Sequence, residues 1–202
     1  MTSSSSPGLS PEARRLYLVT PVRPAEFLEA AIRGGVDVVQ IRERALSDRA
    51  LLAALEEARE VTARLGVPLV VNDRPDLAVL AGADAVHVGQ DDLPVEAAGR
   101  FGLPVGLSTH APGEINVADV DYIGVGPVYA TPTKEGRPAV GLELVRYAAA
   151  NARMPWFAIG GIDRTNVEEV VAAGATRIAV VRAIADAADP EAAARELRAA
   201  LA

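Results

Sequence analysis

Cysteine is absent from all 202 residues. That excludes disulfides, thiolate nucleophiles and Cys-ligated metal sites, and it is compatible with a reducing cytoplasm. Long apolar runs are missing too: hydrophobic residues make up 50% of the chain, yet none of their stretches approaches the ~20 residues that a membrane-spanning helix requires. Cations are in deficit, with 20 Lys and Arg against 27 Asp and Glu and a net charge of −7. A general nucleic-acid surface needs clustered Lys and Arg against the phosphate backbone, so that partner class is not expected. The N-terminal residues 1–12 are rich in Ser, Pro and Gly and hold no apolar core of signal-peptide type. They read as a disordered tail ahead of one domain at 13–202. A soluble, cytoplasmic protein without a membrane partner is the expectation, with a homo-oligomer left open.

What is present is a repeated alternation. Short runs rich in Val and Ile occur at 16–19, 36–41, 69–71, 85–88, 105–107, 122–125, 156–159 and 178–181. Helical segments separate them, predicted at 24–33, 48–65, 75–80, 94–100, 112–118, 142–151, 164–173 and 190–201. Several begin at Pro, which suits a first helical turn, and Gly34, Gly35, Gly66, Gly82 and Gly174 stand at their ends as C-cap glycines do. Strands alternating with helices argue for a parallel sheet, and eight such units for a closed (β/α)8 TIM barrel. At 202 residues the barrel is near its lower size limit, so its loops must be short. A weak internal echo agrees: Gly35-Val-Asp37, Gly82-Ala-Asp84, Val120-Asp121 and Gly174-Ala-Thr-Arg177 each lead into a run.

Seven of the eight runs are followed by polar or glycine residues suited to phosphate or metal chemistry; only 16–19 lacks one. In a barrel these positions converge on the face that carries active sites. Asp73 and Asp92 follow consecutive runs, and parallel neighbours lie roughly 5 Å apart. Two carboxylates completed by phosphate oxygens and water suit Mg²⁺, although Asp73 and Asp92 could equally cap the next helices, and Asp91 competes for the ligand role. Arg42 and Arg44 share one face of an extended segment and could grip phosphate, or form a solvated loop around Glu43. Thr131, Pro132, Thr133 and Lys134 form a punctuated loop with two hydroxyls and a cation, suited to a phosphorylated ligand. Gly160 and Gly161 allow close backbone approach and, with Val181 and Arg182, suggest the phosphate cradle that barrels often build after strands seven and eight. His110 is open to an acid–base or a structural role, His87 reads as structural, and Ser108 as a hydrogen-bonding group outside any nucleophilic triad.

Six segments taken together resemble the thiamine phosphate synthase family: Gln40-Ile41-Arg42-Glu43-Arg44, Val71-Asn72-Asp73-Arg74, His87-Val88-Gly89-Gln90-Asp91-Asp92, Gly106-Leu107-Ser108-Thr109-His110, the stretch from Gly124 to Lys134, and Ala158-Ile159-Gly160-Gly161-Ile162. The resemblance implies a transferase joining hydroxymethylpyrimidine diphosphate to a thiazole phosphate, with release of pyrophosphate and no enzyme nucleophile. It implies Mg²⁺ on Asp73 and Asp92. The pyrimidine diphosphate would lie against Gln40, Ile41, Arg42, Glu43, Arg44, Asn72, Ser108 and Lys134, with Arg42, Ser108 and Lys134 closest to the chemistry. Thiazole phosphate would lie against Thr131, Pro132, Thr133, Gly161, Val181 and Arg182. Two positions depart from the family pattern: Arg44 replaces a usual Lys, and Arg182 a common Ser. A thiazole tautomerase of the same fold, in which His110 would matter, and a non-catalytic thiamine phosphate binder are the competing expectations. The Thr-Pro-Thr-Lys loop and the Gln-Asp-Asp segment favour the synthase.

Overall fold

A computed structural model of the chain describes residues 13–116, 119–131 and 139–201. The expected tail at 1–12 and the site residues Pro132, Thr133 and Lys134 lie outside the described residues, as do positions 117 and 118 of one predicted helix. The described elements run β1 (Leu16–Thr20), α1 (Ala25–Arg33), β2 (Val38–Ile41), α2 (Asp48–Arg64), β3 (Leu69–Asn72), α3 (Pro75–Leu80), β4 (Ala85–Val88), α4 (Val95–Gly99), β5 (Val105–Thr109), β6 (Tyr122–Val125), α5 (Gly141–Asn151), β7 (Trp156–Ile159), α6 (Val167–Ala172), β8 (Ile178–Val180), α7 (Arg182–Ala185) and α8 (Pro190–Ala199). All strands are parallel and pair in chain order, with β8 returning to β1 to close the barrel.

Two helices show how the sequence sets the outer ring. Ser47 caps α2 by accepting from the Ala50 amide, and Leu51, Leu55, Ala58 and Val61 then fall on one buried stripe. Asp189 caps α8 in the same way through the Ala192 amide, Pro190 opens the first turn, and Ala194 and Leu197 face inward. Between ring and barrel lies the large apolar layer that includes Leu16, Leu18, Val39, Ile41, Leu69, Val71, Val86 and Ile178. A smaller cluster fills the barrel itself: Tyr17, Val19, Val38, Val70, Ala85, Tyr122, Phe157 and Ala179. Alternate residues of each strand go to the outer layer, and every strand except β5, whose inward positions are Gly106 and Ser108, adds a residue to the inner cluster, as pleated strands do.

The echo in the sequence has a structural cause. Asp37, Asp84 and Asp121 stand one residue ahead of β2, β4 and β6. Their carboxylates accept from the first amide of the preceding strand: Leu16 at 3.0 Å, Leu69 at 2.8 Å and Val105 at 2.7 Å. The backbone amide of each Asp returns a bond to the carbonyl of that same residue. The odd strands β1, β3 and β5 thus have their entry points tied at the bottom of the barrel. Before β8 the corresponding residue is Arg177, whose carbonyl accepts from Ala158 instead, and the echo weakens there. Asp84 also meets Arg59 at 3.0 Å with both side chains largely buried, and burial holds its carboxyl above the ordinary range despite the Leu69 amide and Arg59. Asp84→Ala would leave the buried Leu69 amide without its acceptor and break the buried ion pair with Arg59. Chemical denaturation is expected to show a loss of about 3 kcal/mol.

Two predicted elements differ from the structure. Of the helix expected at 112–118, the described residues 112–116 hold only a 3-10 turn at Pro112–Glu114. Pro112 has the right chemistry for a first turn, but Gly113 follows at once and Asn116 adopts φ 70°, outside helical space. Conversely, the four-residue helix α7 begins directly after β8, where the sequence reading had only a strand end.

Candidate active site

The strand C-termini surround a cavity of about 300 Å³. Its lining follows the inward parity of the strands: Tyr17 and Val19 from β1, Gln40 and Arg42 from β2 and beyond, Asn72 from β3, His87 from β4, Ser108 and His110 from β5 and beyond. Gly124 and Gly126, then Phe157, Ile159 and Gly161, then Val181, complete the circuit on the β6, β7 and β8 side. Of the expected pyrimidine-diphosphate residues, Gln40, Arg42, Asn72 and Ser108 are therefore brought together. Ile41 is not: its side chain is 2% exposed and belongs to the apolar layer outside the barrel. Glu43 and Arg44 stay outside the cavity. The Glu43 carboxylate accepts from the backbone amides of Arg44 and Ala45, both at 2.8 Å, which shapes the loop after β2.

Beneath the cavity runs a chain of polar contacts. Gln40 Nε2 donates to the Tyr17 hydroxyl at 2.7 Å, and that hydroxyl meets Tyr122 at 3.0 Å. The Tyr122 hydroxyl meets His87 Nδ1 at 3.2 Å, and His87 Nε2 meets Ser108 Oγ at 3.0 Å. Gly106 makes this possible. A Cβ there would lie 2.1 Å from Tyr122 Cζ, so only glycine lets the Tyr122 ring cross the barrel. His110 is anchored separately, with Nδ1 on the Gly126 carbonyl and its backbone amide on Glu114.

An acidic pair stands at the rim beside Arg42. Successive strand residues point to opposite faces, so Asn72 and Asp73 should diverge. Asp73 instead adopts φ 62°, a left-handed conformation that Asp tolerates better than most residues, and the chain turns enough for both to serve one rim. Its carboxylate pairs with Arg44 at 3.1 Å. Arg74 braces the same turn, bonding Asp76 within α3 and Asp48 at the start of α2. Asp92 reaches back across the β4 loop, accepting from the Gly89 amide at 2.9 Å, and approaches Asp73 to hydrogen-bonding range. Burial lifts the Asp73 carboxyl above its ordinary pKa; the Arg44 hydrogen bond opposes this, and the Asp92 carboxyl adds to it. Two carboxyl groups facing each other are a donor set that fits a hard divalent cation. Among the described residues no third carboxylate or imidazole joins them, so phosphate oxygens and water would complete the shell, as is usual for Mg²⁺. Arg42 lines the cavity and is in electrostatic contact with this pair. Its pKa is lowered by burial and then by Arg44, while Asp73 and Asp92 pull it upward. A half-buried cation next to another cation is arranged for an anion.

Gly161, Val181, Arg182, the adjacent Ala183 and Thr131 also line the cavity. Glycine at position 161 has a structural cause of its own. The loop after β6 is tied to the loop after β7, Val128 to the Ile159 carbonyl and Tyr129 to the Gly160 carbonyl, both at 2.9 Å. A Cβ on Gly161 would meet Tyr129 Cβ at 2.7 Å, and its φ is 66°. Glycine is required there by the neighbouring loop and by the backbone conformation, whatever binds in front of it. Gly161→Val is accordingly expected to lower the thermal midpoint by several degrees as well as activity, measured by differential scanning calorimetry beside saturation kinetics.

Residues 16–184 match the family model described as thiamine monophosphate synthase. The chain belongs to that family. It is 55% identical over 197 residues to a thiamine-phosphate synthase of Thermus thermophilus, spanning 91% of this chain and 95% of that one. It is 52% identical over 201 residues to the thiamine-phosphate synthase of Thermobifida fusca, spanning 93% and 92%. Among solved structures, thiamine phosphate pyrophosphorylase from Pyrococcus furiosus superposes with a TM-score of 0.85 at 31% identity, covering 93% of this chain and 95% of that one. The barrel, its single-domain organisation and its transferase family stand together.

Within this family site, sequence reasoning missed Tyr17 and Tyr122 and placed His87 among structural residues. All three line the cavity. The available signal was parity: Tyr17 shares its face with Val19, Tyr122 with Gly124, and His87 with Ala85, the inward set of each strand.

Proposed function

We propose that this chain is a thiamine-phosphate synthase that couples hydroxymethylpyrimidine diphosphate to a thiazole phosphate. One observation supports this reading beyond family membership: a single cavity is lined both by Arg42, which the Asp73–Asp92 pair adjoins, and by Gly161 and Val181–Ala183, two groups of residues suited to anions. Two phosphorylated substrates fit such a site better than one.

The C–O bond between the pyrimidine methylene and the diphosphate breaks first, its electron pair leaving on the diphosphate oxygen. The aminopyrimidine ring delocalises the positive charge left behind. The lone pair of the thiazole nitrogen then forms the new C–N bond, so the enzyme supplies no nucleophile, in keeping with a chain that has no cysteine. Mg²⁺ held by Asp73 and Asp92 would supply positive charge against the diphosphate. Arg42 grips the same group, with Lys134 assigned to it from its sequence motif. Gln40 and Ser108 hold the pyrimidine ring, and Asn72 stands between ring and diphosphate. Thr131, Pro132, Thr133, Gly161, Val181 and Arg182 receive the thiazole phosphate. The protein contributes position and charge in a partly enclosed site, which is where electrostatic stabilisation is strongest.

The deciding experiment incubates purified protein with both substrates and Mg²⁺ and follows thiamine phosphate and pyrophosphate together. Equimolar appearance of the two supports the synthase. Interconversion of a thiazole phosphate without any pyrimidine would identify a tautomerase, and tight retention of thiamine phosphate without turnover would identify a binder.

A further inference from the structure

The floor of the cavity has a direction. We propose that Tyr17 and Tyr122 are positioning residues that lock the proton order of the Gln40–Tyr17–Tyr122–His87–Ser108 chain, holding His87 as the neutral Nε2–H tautomer and so fixing which polar groups face the substrate as donors and which as acceptors. The proposal rests on the synthase reading for its substrate and on geometry alone for the proton order.

The order follows from one end. An amide nitrogen can only donate, so Gln40 Nε2 at 2.7 Å makes the Tyr17 oxygen an acceptor. Tyr17 has one proton, which then goes to the Tyr122 oxygen at 3.0 Å. Tyr122 passes its own to His87 Nδ1 at 3.2 Å. With Nδ1 accepting, a neutral imidazole carries its proton on Nε2 and donates to Ser108 Oγ at 3.0 Å. Ser108 meets His87 as an acceptor and is a donor toward another partner. Turning the Gln40 amide over would reverse every link, because each phenol has a single proton to place.

The two phenols are built to hold one state. Tyr17 and Tyr122 are 3% and 1% exposed, and burial raises both pKa values, so neither loses its proton near neutrality. The Phe157 ring packs edge-on against both, at 5.2 Å from Tyr17 and 5.9 Å from Tyr122. Gly106 leaves the gap into which Tyr122 fits. Neither phenol need touch the reacting atoms. Their effect reaches the substrate through Gln40, whose carbonyl end is turned from Tyr17, and through Ser108. A heteroaromatic ring carrying an amino donor and ring-nitrogen acceptors meets an acceptor at Gln40 and a donor at Ser108. Reversal of the chain would set donor against donor and acceptor against acceptor.

The chain contains only two histidines, so ¹⁵N-histidine labelling gives two imidazoles, separated by comparison with His87→Gln. Long-range ¹H–¹⁵N spectra of the substrate-free protein between pH 6 and 8 are expected to show His87 as the Nε2–H tautomer. In Tyr122→Phe, which keeps the ring and removes the hydroxyl, that signal should move toward the Nδ1–H form or a mixture. The KM for pyrimidine diphosphate should rise about tenfold, with the KM for thiazole phosphate unchanged. Tyr17→Phe cuts the link to Gln40 and is expected to raise the same KM; it also serves as the test if Tyr122→Phe does not fold. A parent protein with His87 in the Nδ1–H form, or a Tyr122→Phe spectrum identical to the parent's, overturns the proposal. So does a fall in stability with both KM values unchanged, the mark of a merely structural role. Because the spectra need no turnover, an inactive parent with the Nε2–H tautomer would reject the synthase reading while leaving the proton order standing.

Discussion

Asp73→Asn and Asp92→Asn are each expected to lower kcat by about two to three orders of magnitude, the loss typical when one preorganised electrostatic contact to developing charge is removed. Excess chelator should abolish turnover in the parent protein, and added Mg²⁺ should restore it. The expected size follows from the surroundings. Asp73 sits in a strained φ of 62°, beside Asp92, with its carboxyl raised by burial. A protein under selection for stability alone would separate two such groups, and backbone strain of this kind persists where the surroundings over-determine it. Neutralising either carboxylate removes mutual repulsion, so the thermal midpoint should hold or rise while activity falls. The opposed signs distinguish metal ligands from helix caps, since losing a cap lowers stability and leaves chemistry nearly intact. Full activity in chelator, or a lowered midpoint with preserved kcat, would end the metal assignment.

The barrel is legible in the chain because a parallel strand buried on both faces leaves a short apolar run with no alternation, and eight such runs occur between helical segments. The working face is legible for a related reason: polar residues placed where those runs stop have few other places to go. What fails is anything that depends on contact across the barrel. Tyr17 lies inside its run, not after it, and nothing local reveals that its phenol meets residues from β2 and β6. His87 reads as core because it is flanked by Ala85, Val86 and Val88, yet parity alone turns it inward beside Ser108. Gly161 lines the cavity, but the requirement for glycine there is hidden from the sequence, since Tyr129, 32 positions earlier, is what excludes a Cβ. Residues 112–116 depart from a helix on turn chemistry, and α7 is too short for any periodicity to announce it. The nearness of Asp73 to Asp92 is legible because it needs only strand adjacency, which the order of the runs already contains.

Arg42 supplies the second large effect. Arg42→Ala is expected to reduce kcat/KM for pyrimidine diphosphate by about 10²- to 10³-fold, corresponding to the roughly 2–5 kcal/mol that follows truncation of one partner in a buried charged contact. Arg42→Lys should recover only part of this, because a planar guanidinium grips two phosphate oxygens at once and an ammonium acts as a point charge. The KM for thiazole phosphate should stay within about twofold of the parent, since Arg42 stands with the acidic pair and Gly161 and Val181–Ala183 are a separate group of cavity residues. Stability is expected to move the other way. Burial and the neighbouring Arg44 both weigh against the charge on Arg42, so Arg42→Met, which keeps much of the side-chain volume, should leave the unfolding midpoint equal or higher. Saturation curves for each substrate, run beside denaturant titrations of the same three variants, make the comparison. A stability loss matching the activity loss would make Arg42 a brace for the acidic rim. Activity lost without stability loss, and confined to the diphosphate substrate, would place its guanidinium on the departing group.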